Sequence, residues 1–477
     1  MRKSVFEKTV GEKLQSGLSG ATPDVWTKIE KTVRGADTSV PESAKRRGNL
    51  QKRRIFRITA AATAVAVCAA GVWAVSYWRP FVQANAQTVY DSGGHLSSVE
   101  TSAPDRSFVD SYNSFGLELL KQTYQDGGTD ENRDVFQSPA SVYLALGMTY
   151  NGAKEDTAAE FAKVLGNSGK SLDQFDKGCA GLQGLLTGRF RLANSIWLNS
   201  PFAGKVNSGF LSRDKTYFGA SVSTLNLASC GASELINRWV KGNTNGRIDP
   251  KFRNFDSDTV MLLINTIYFK SDWQQKFNAN NTCDDSFHSP SGDKTVKFMH
   301  GTRSHYIEDG TLQGILLPYD DGKTSMLILL PKKDMSGMLG KLTASGLAAY
   351  VANSQNSTEQ AAFSLPRVNF SCDEFLKEPL KAMGLKLPFD PAHANFTGMA
   401  SADLPLYISK VRHMTYLAID ENGTEAAAAT AVAMAASSSA PPKNVMNVDR
   451  PFFTAIVNND TGAVLFSGVV NDPSASK

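Results

Sequence analysis

A 22-residue stretch near the C-terminus, ENGTEAAAATAVAMAASSSAPP (421–442), restricts how this chain can fold more than any other feature. It carries nine alanines, no aromatic residue and no charge after Glu425, and it lies between two apolar, strand-like runs. It is too polar and too interrupted to cross a membrane, and far longer than a turn. Read at the two-residue period of a strand, Thr424, Ala426, Ala428, Thr430, Val432 and Met434 share one face. Glu425, Ala427, Ala429, Ala431, Ala433 and Ala435 share the other, and none of the alanines is too large to pass beneath a neighbouring element. No proline falls between Gly423 and Ala440, so every amide there can enter a ladder. Alanine is nonetheless a poor strand former. The pattern suits a segment with two states, an exposed loop and an inserted strand; a flexible low-complexity loop is the competing reading. Gly423 and the serines supply flexible ends, and Pro441-Pro442 closes the stretch.

Around this segment the chain reads as α+β, with helices early and strands late. The run from Ser111 places Phe115, Leu119 and Leu120 at helical spacing, and Ser138-Pro139 opens a second apolar helix through Met148 with a serine cap and a first-turn proline. Val260 to Phe269 reads as a strand buried on both faces. ILLPY and SMLILLP, separated by Asp320-Asp321-Gly322-Lys323, read as a hairpin or a pair of neighbouring strands, and FFTAIVN and AVLFSGVV around Asn459-Asp460-Thr461-Gly462 as a second hairpin.

The N-terminal part differs. Residues 1–57 carry 14 Lys/Arg against 6 Asp/Glu, a charge of +8, while the remainder carries 36 against 40, or −4. An acidic body argues against nucleic-acid binding. Between them Ile58 to Trp78 runs 21 residues without a charge, enough to span a bilayer as one helix, with Trp73, Tyr77 and Trp78 toward one end. Lys45-Arg46-Arg47, Lys52-Arg53-Arg54 and Arg57 precede it, which keeps residues 1–57 cytoplasmic and the body outside. The alternative is secretion after cleavage near Ala84-Asn85-Ala86. Residues 79–106 read as a flexible Ser/Gly-rich linker, and the globular part as 107–473. Five scattered cysteines without a C-x-x-C spacing make a zinc site or a disulfide scaffold improbable, leaving room for one or two disulfides. No nucleophile elbow, phosphate loop or metal constellation suggests an enzyme.

From about Phe108 to Pro473 the sequence strongly resembles the serpins. VFQSPASV (from Val135), INRWVKGNTNGRI (from Ile236), NTIYFKSDW (from Asn265), LPRV (from Leu365), SKVRHM (from Ser409), Arg450-Pro451-Phe452 and LFSGVVNDP (from Leu465) match the family's motifs in order. The 421–442 stretch resembles the reactive-centre loop, and Glu421, Gly423, Thr424, Glu425, Ala426, Ala427, Ala428 and Ala429 match the hinge of inhibitory members. Asp134 and Asn422 depart from the usual pattern.

The resemblance implies a serpin fold: a large central mixed or antiparallel sheet, further sheets, about eight or nine helices and an exposed loop. It implies a monomeric, suicide-type inhibitor of serine proteases without catalytic residue, metal or cofactor. The target would cleave the loop, form an acyl-enzyme and be disabled when the loop inserts. The family's spacing from Glu421 puts the reactive bond at Ser437–Ser438, within about two residues because loop lengths vary. Small residues there suit an elastase-like or subtilisin-like protease; no Arg or Lys lies between Glu425 and Lys443 for a trypsin-like one. A charged or bulky residue at Ala426 or Ala428 should slow entry, because it must be buried between strands. Ser138, Ser141, Asn265 and His413 resemble the buried shutter cluster, and Trp273 the breach tryptophan where insertion begins. Asn422-Gly423-Thr424 is a glycosylation sequon that would obstruct insertion if used, which points to a bacterial chain. A non-inhibitory carrier or chaperone is the alternative, against which the alanine-rich hinge argues.

Overall fold

A computed structural model describes residues 86–90, 102–126, 133–253, 255, 259–404, 406–424 and 442–474. The chain divides into two units, 1–79 and 80–477, and all described residues belong to the second. Ile58–Trp78 lies outside them; among the described residues no helix is long and apolar enough to cross a membrane. The architecture is α+β, with nine α-helices and four sheets among these residues.

Helix Arg106–Asp126 buries Phe108, Tyr112, Phe115 and Leu119, spaced four, three and four residues apart along one face. It lies against helix Pro139–Tyr150, whose buried first residue sets the contact: a Cβ on Gly116 would stand 2.7 Å from the ring of Pro139. Ser138 caps the second helix, its side chain accepting from the Ser141 amide at 3.2 Å, as the Ser-Pro pair predicts.

A six-stranded antiparallel sheet fills the centre, in the order Val135–Gln137, Val464–Val470, Phe452–Asn458, Thr324–Pro331, Leu312–Pro318 and Tyr306–Glu308. Both expected hairpins are here, with Leu317 opposite Met326 and Phe452 opposite Val470. Its inner strands Thr324–Pro331, Phe452–Asn458 and Val464–Val470 are buried at every residue, because both of their faces are covered. Met326, Ile328 and Leu330 enter the main core, and Leu327 and Leu329 a second core beneath helices Met335–Lys341 and Ala344–Asn356.

A separate four-stranded sheet contains Thr282–Ser289, Gly292–Arg303, Ala361–Pro366 and Asn444–Asn447, the last pairing parallel to Ala361–Pro366. Two further four-stranded arrays matter most for function. In one, Phe190–Asn199 pairs antiparallel with Met261–Phe269 and parallel with Ser221–Leu225. In the other, Val368–Phe375 pairs with Arg412–Ile419, then Gly423–Thr424, then Ser271–Asp272.

Two expectations need correction. Ala86–Tyr90, inside the expected linker, forms an edge strand antiparallel to Ser221–Leu225. Its Thr-Val-Tyr run favours a strand, a signal hidden by the Ser/Gly-rich flanks. Met261–Phe269 is not buried throughout: its first five residues are half-exposed, and among the described residues no strand pairs with it on its second edge. Cys179, Cys230, Cys283 and Cys372 are all free, so no disulfide forms among the described cysteines.

Helix Ser208–Phe218 places Asp214, fully buried, against Asn151, whose Nδ2 donates to Oδ1 at 2.8 Å. Among the described residues Asp214 Oδ2 and Asn151 Oδ1 have no hydrogen-bond partner. Burial pushes the Asp214 carboxyl well up, the charge on nearby Asp176 adding to it. A raised folded pKa contributes stability that is complete below the unfolded value near 4 and is lost as pH rises. Asp214→Asn, whose amide can donate to Asn151 Oδ1, is therefore expected to be more stable than the native protein at pH 8, and by more than at pH 5, in urea denaturation.

Candidate functional site

The two four-stranded arrays meet along a seam. Met261–Phe269 borders it on one side and Arg412–Ile419 on the other, and no ladder joins these two strands among the described residues. Among the described residues the gap is filled at one end. There Gly423–Thr424 pairs with both sides at once, Thr424 opposite Ile419 and Ser271, Gly423 opposite Asp272. The first residues of the alanine-rich segment already sit as a strand between two strands.

This start is held by many short contacts. Asp420 Oδ1 accepts from the amides of Asn422 (2.7 Å) and Gly423 (3.2 Å), turning the chain back from Ile419. The Trp273 indole donates to the Asp420 carbonyl at 2.9 Å, and its backbone amide to the Asn422 carbonyl at 2.7 Å. Trp273 is buried and stacks on Tyr319, with ring centroids 4.7 Å apart and planes 11° apart. The Tyr319 hydroxyl pairs with that of Thr424, and both side chains are buried. Gly423 is required for a reason the sequence reading missed: a Cβ there would lie 2.1 Å from the Ser271 carbonyl oxygen. It is a point of close approach rather than a flexible end.

Glu421 anchors the hinge electrostatically. Its Oε1 accepts from Arg367 Nε (2.9 Å) and Nη2 (2.6 Å) and from the Thr282 hydroxyl (2.5 Å). Burial pushes this carboxyl up, but those donors outweigh it and the net shift is downward. The Phe277 amide completes the clamp by donating to the Glu421 carbonyl at 2.8 Å.

Under the seam lies a polar network that starts at the cap of helix Pro139–Tyr150. The Ser138 amide donates to His413 Nε2 at 2.9 Å, on one border strand, and its hydroxyl to the Leu465 carbonyl at 2.8 Å. The Ser141 hydroxyl donates to Asn265 Oδ1, on the other border strand. Asn265 Nδ2 then donates to Asn194, which reaches the Phe218 carbonyl and Gln183. One helix terminus thus grips both sides of the gap. His413 accepts from an amide and is buried, and burial pushes its imidazole down to about 4, so it is neutral at physiological pH.

The structure therefore brings Ser138, Ser141, Asn265 and His413 into one network, and Trp273 against Glu421, Gly423 and Thr424. Glu425, Ala426 to Ala429, Ser437 and Ser438 lie outside the described residues. Asn194, Gln183 and Tyr319 escaped the sequence reading, since nothing local marks them. Arg367 and Glu421, opposite charges in two separate motifs, carried a signal that pairing could have used. Asp134 accepts from the amides of Asn471 and Asp472, a reason for an acceptor at that position.

Comparison with known proteins agrees with this geometry. The family model "Serpin (serine protease inhibitor)" matches residues 110–473. An uncharacterized serpin-like protein of Thermococcus kodakarensis is 30% identical over 77% of this chain and 86% of its own length. Leukocyte elastase inhibitor A of Mus musculus is 32% identical over 75% of this chain and 97% of its own. Among solved structures, the native state of the thermophilic serpin tengpin superposes with a TM-score of 0.72 at 29% identity, covering 81% of this chain and all of that one.

Two outcomes test the site. His413 is depressed from its unfolded value of about 6.5, so its contribution is complete above that value and falls away with acid, by about 3 kcal/mol down to pH 4. His413→Gln, which keeps an acceptor for Ser138, should lose less stability between pH 7 and 4 than the native protein in urea titrations. Gly423→Ala should lower stability by about 1–3 kcal/mol, the range for overpacking, read as a fall in the urea midpoint; an unchanged midpoint would contradict the close approach.

Proposed function

Because this chain belongs to the serpin family, we propose that it is a suicide-type inhibitor of serine proteases whose cleaved loop enters the seam between Met261–Phe269 and Arg412–Ile419. One observation carries the reading: Gly423–Thr424 is already paired on both sides at the mouth of that seam. Residues that follow need only continue the same ladder, and those from Ala426 to Ala429 are small enough to pass between the borders. Insertion is strand addition, for which serpin loops are a standing example.

The chemistry belongs to the target. Its serine attacks the carbonyl of Ser437, the Ser438 amine leaves, and an ester holds protease and loop together. Completing a two-sided ladder over about 14 residues, at roughly 0.5–1.5 kcal/mol net per hydrogen bond, releases on the order of ten kcal/mol. An active site displaced by about 1 Å can lose roughly 100-fold in rate. Insertion therefore has energy enough to stall deacylation, provided it outruns hydrolysis.

An elastase-like or subtilisin-like target fits the run Met434-Ala-Ala-Ser-Ser-Ser439, and the similarity to an elastase inhibitor supports it. The uncharged run Ile58–Trp78 and the basic residues before it support a membrane tether, with residues 1–57 cytoplasmic and the inhibitor outside.

Incubation with elastase-like and subtilisin-like proteases tests this. A complex that survives denaturing electrophoresis is expected, with a C-terminal fragment starting at Ser438, within about two residues, by mass spectrometry. Ala428→Glu should reduce the complex while cleavage continues. Cleavage of the native protein without any stable complex, by every protease tried, would count against inhibition.

A further inference from the structure

Cys283 is one of two exposed cysteines among the described residues, and its Sγ stands 3.3 Å from His300 Nε2. The ladder sets this contact. Cys283 lies opposite Phe298 on the neighbouring strand and His300 follows two residues later, so the two side chains share a face and meet on the diagonal. Thr282–Ser289 ends its four-stranded sheet, and there the thiol is open to solvent beside a half-buried imidazole. Thr282, whose side chain belongs to the opposite face, holds Glu421 from there. Cys230, the other exposed cysteine, has no histidine within hydrogen-bond reach among the described residues.

The thiolate, not the thiol, is the nucleophile, and an imidazole that takes the proton activates the sulfur. The pair suits covalent chemistry better than a metal. Two donors fall short of a zinc ion's usual ligand set, and among the described residues no three His, Cys, Asp or Glu side chains are placed to hold an ion. The charges nearby narrow the reagent. Phe298 and Val296, on the facing strand, and Ser364, opposite His300 on its other side, are uncharged. Asp285 shares the thiol's face two residues along, about 7 Å away at strand spacing. Its Oδ1 accepts from the Ser286 amide at 2.8 Å, and it takes part in no ion pair among the described residues. Asp284 belongs to the opposite face, where Lys297 neutralises it at 3.1 Å. A reagent carrying positive charge is therefore favoured over an anionic one.

We propose that Cys283 is a modification site for small cationic disulfides, with His300 as its base. His300 Nε2 takes the thiol proton as Sγ attacks one sulfur of the reagent. The reagent's S–S bond breaks as the new one forms, and its other half leaves as a thiolate that collects the proton from His300. The Cys283 sulfur is oxidised to a mixed disulfide and one reagent sulfur is reduced to a thiol, so no further oxidant is needed.

The test incubates the full-length protein at neutral pH with cystamine, and in parallel with anionic dithiodipropionate, and follows each cysteine by peptide mass spectrometry. Cystamine is expected to modify Cys283 roughly tenfold faster than Cys230. His300→Gln, shown to be folded by its thermal transition, should slow Cys283 roughly tenfold and leave Cys230 unchanged. Cystamine should outpace dithiodipropionate at Cys283 by more than it does on free cysteine, and Asp285→Asn should narrow that ratio. Should the His300 variant unfold, the comparison of Cys283 with Cys230 and the Asp285→Asn ratio decide. The proposal is overturned if Cys283 reacts no faster than Cys230, if folded His300→Gln leaves its rate unchanged or slows both cysteines alike, or if the two reagents differ at Cys283 only as they do on free cysteine.

Discussion

An incomplete ladder is the constraint on which the rest of this structure depends. Among the described residues, Met261–Phe269 pairs with Phe190–Asn199 along one edge, and on the other side the two-residue strand Gly423–Thr424 pairs with its continuation at Ser271–Asp272. An unfilled edge normally invites pairing with another chain. Here it faces a second border from the same chain, at Arg412–Ile419, and the segment able to fill it begins between the two. The six-stranded sheet, buried on both faces, gives the assembly a rigid back against which such a gap can be kept.

Keeping the gap depends on polar groups that are satisfied across it. Ser138 and Ser141 stand one turn apart at a helix terminus, and each holds a different border strand. Separation of the borders would have to exchange at least one of these bonds for another of similar quality, because a buried polar group left alone is costly. A neutral His413 suits this role, since it accepts from an amide without bringing a charge into the core.

Much of this was legible in the sequence. Ser138-Pro139 announced a helix start, and the two Gly/Asp-containing turns announced the hairpins, because caps and turns are set by a few neighbouring residues. Thr424 was correctly placed on the buried face by its period alone. What escaped was whatever depends on distant chain meeting distant chain. Gly423 looked flexible until Ser271 was found against it, Tyr319 had no local mark, and the half-exposed start of Met261–Phe269 depends on which strands lie beside it rather than on its own residues. Ala86–Tyr90 was hidden for the opposite reason: its strand propensity was local, but its flanks read as linker.

The parallel strand Asn444–Asn447 has a consequence of its own. After it the chain supplies Phe452–Asn458 and Val464–Val470, two interior strands of the six-stranded sheet. A cut anywhere in 425–441 would therefore leave the C-terminal piece woven into the body, with its apolar residues still buried. The product would be a two-chain protein held together without a covalent link. It would open as one unit, yet its reassembly would need two molecules to meet, so recovery after denaturation would depend on concentration where that of the intact chain does not.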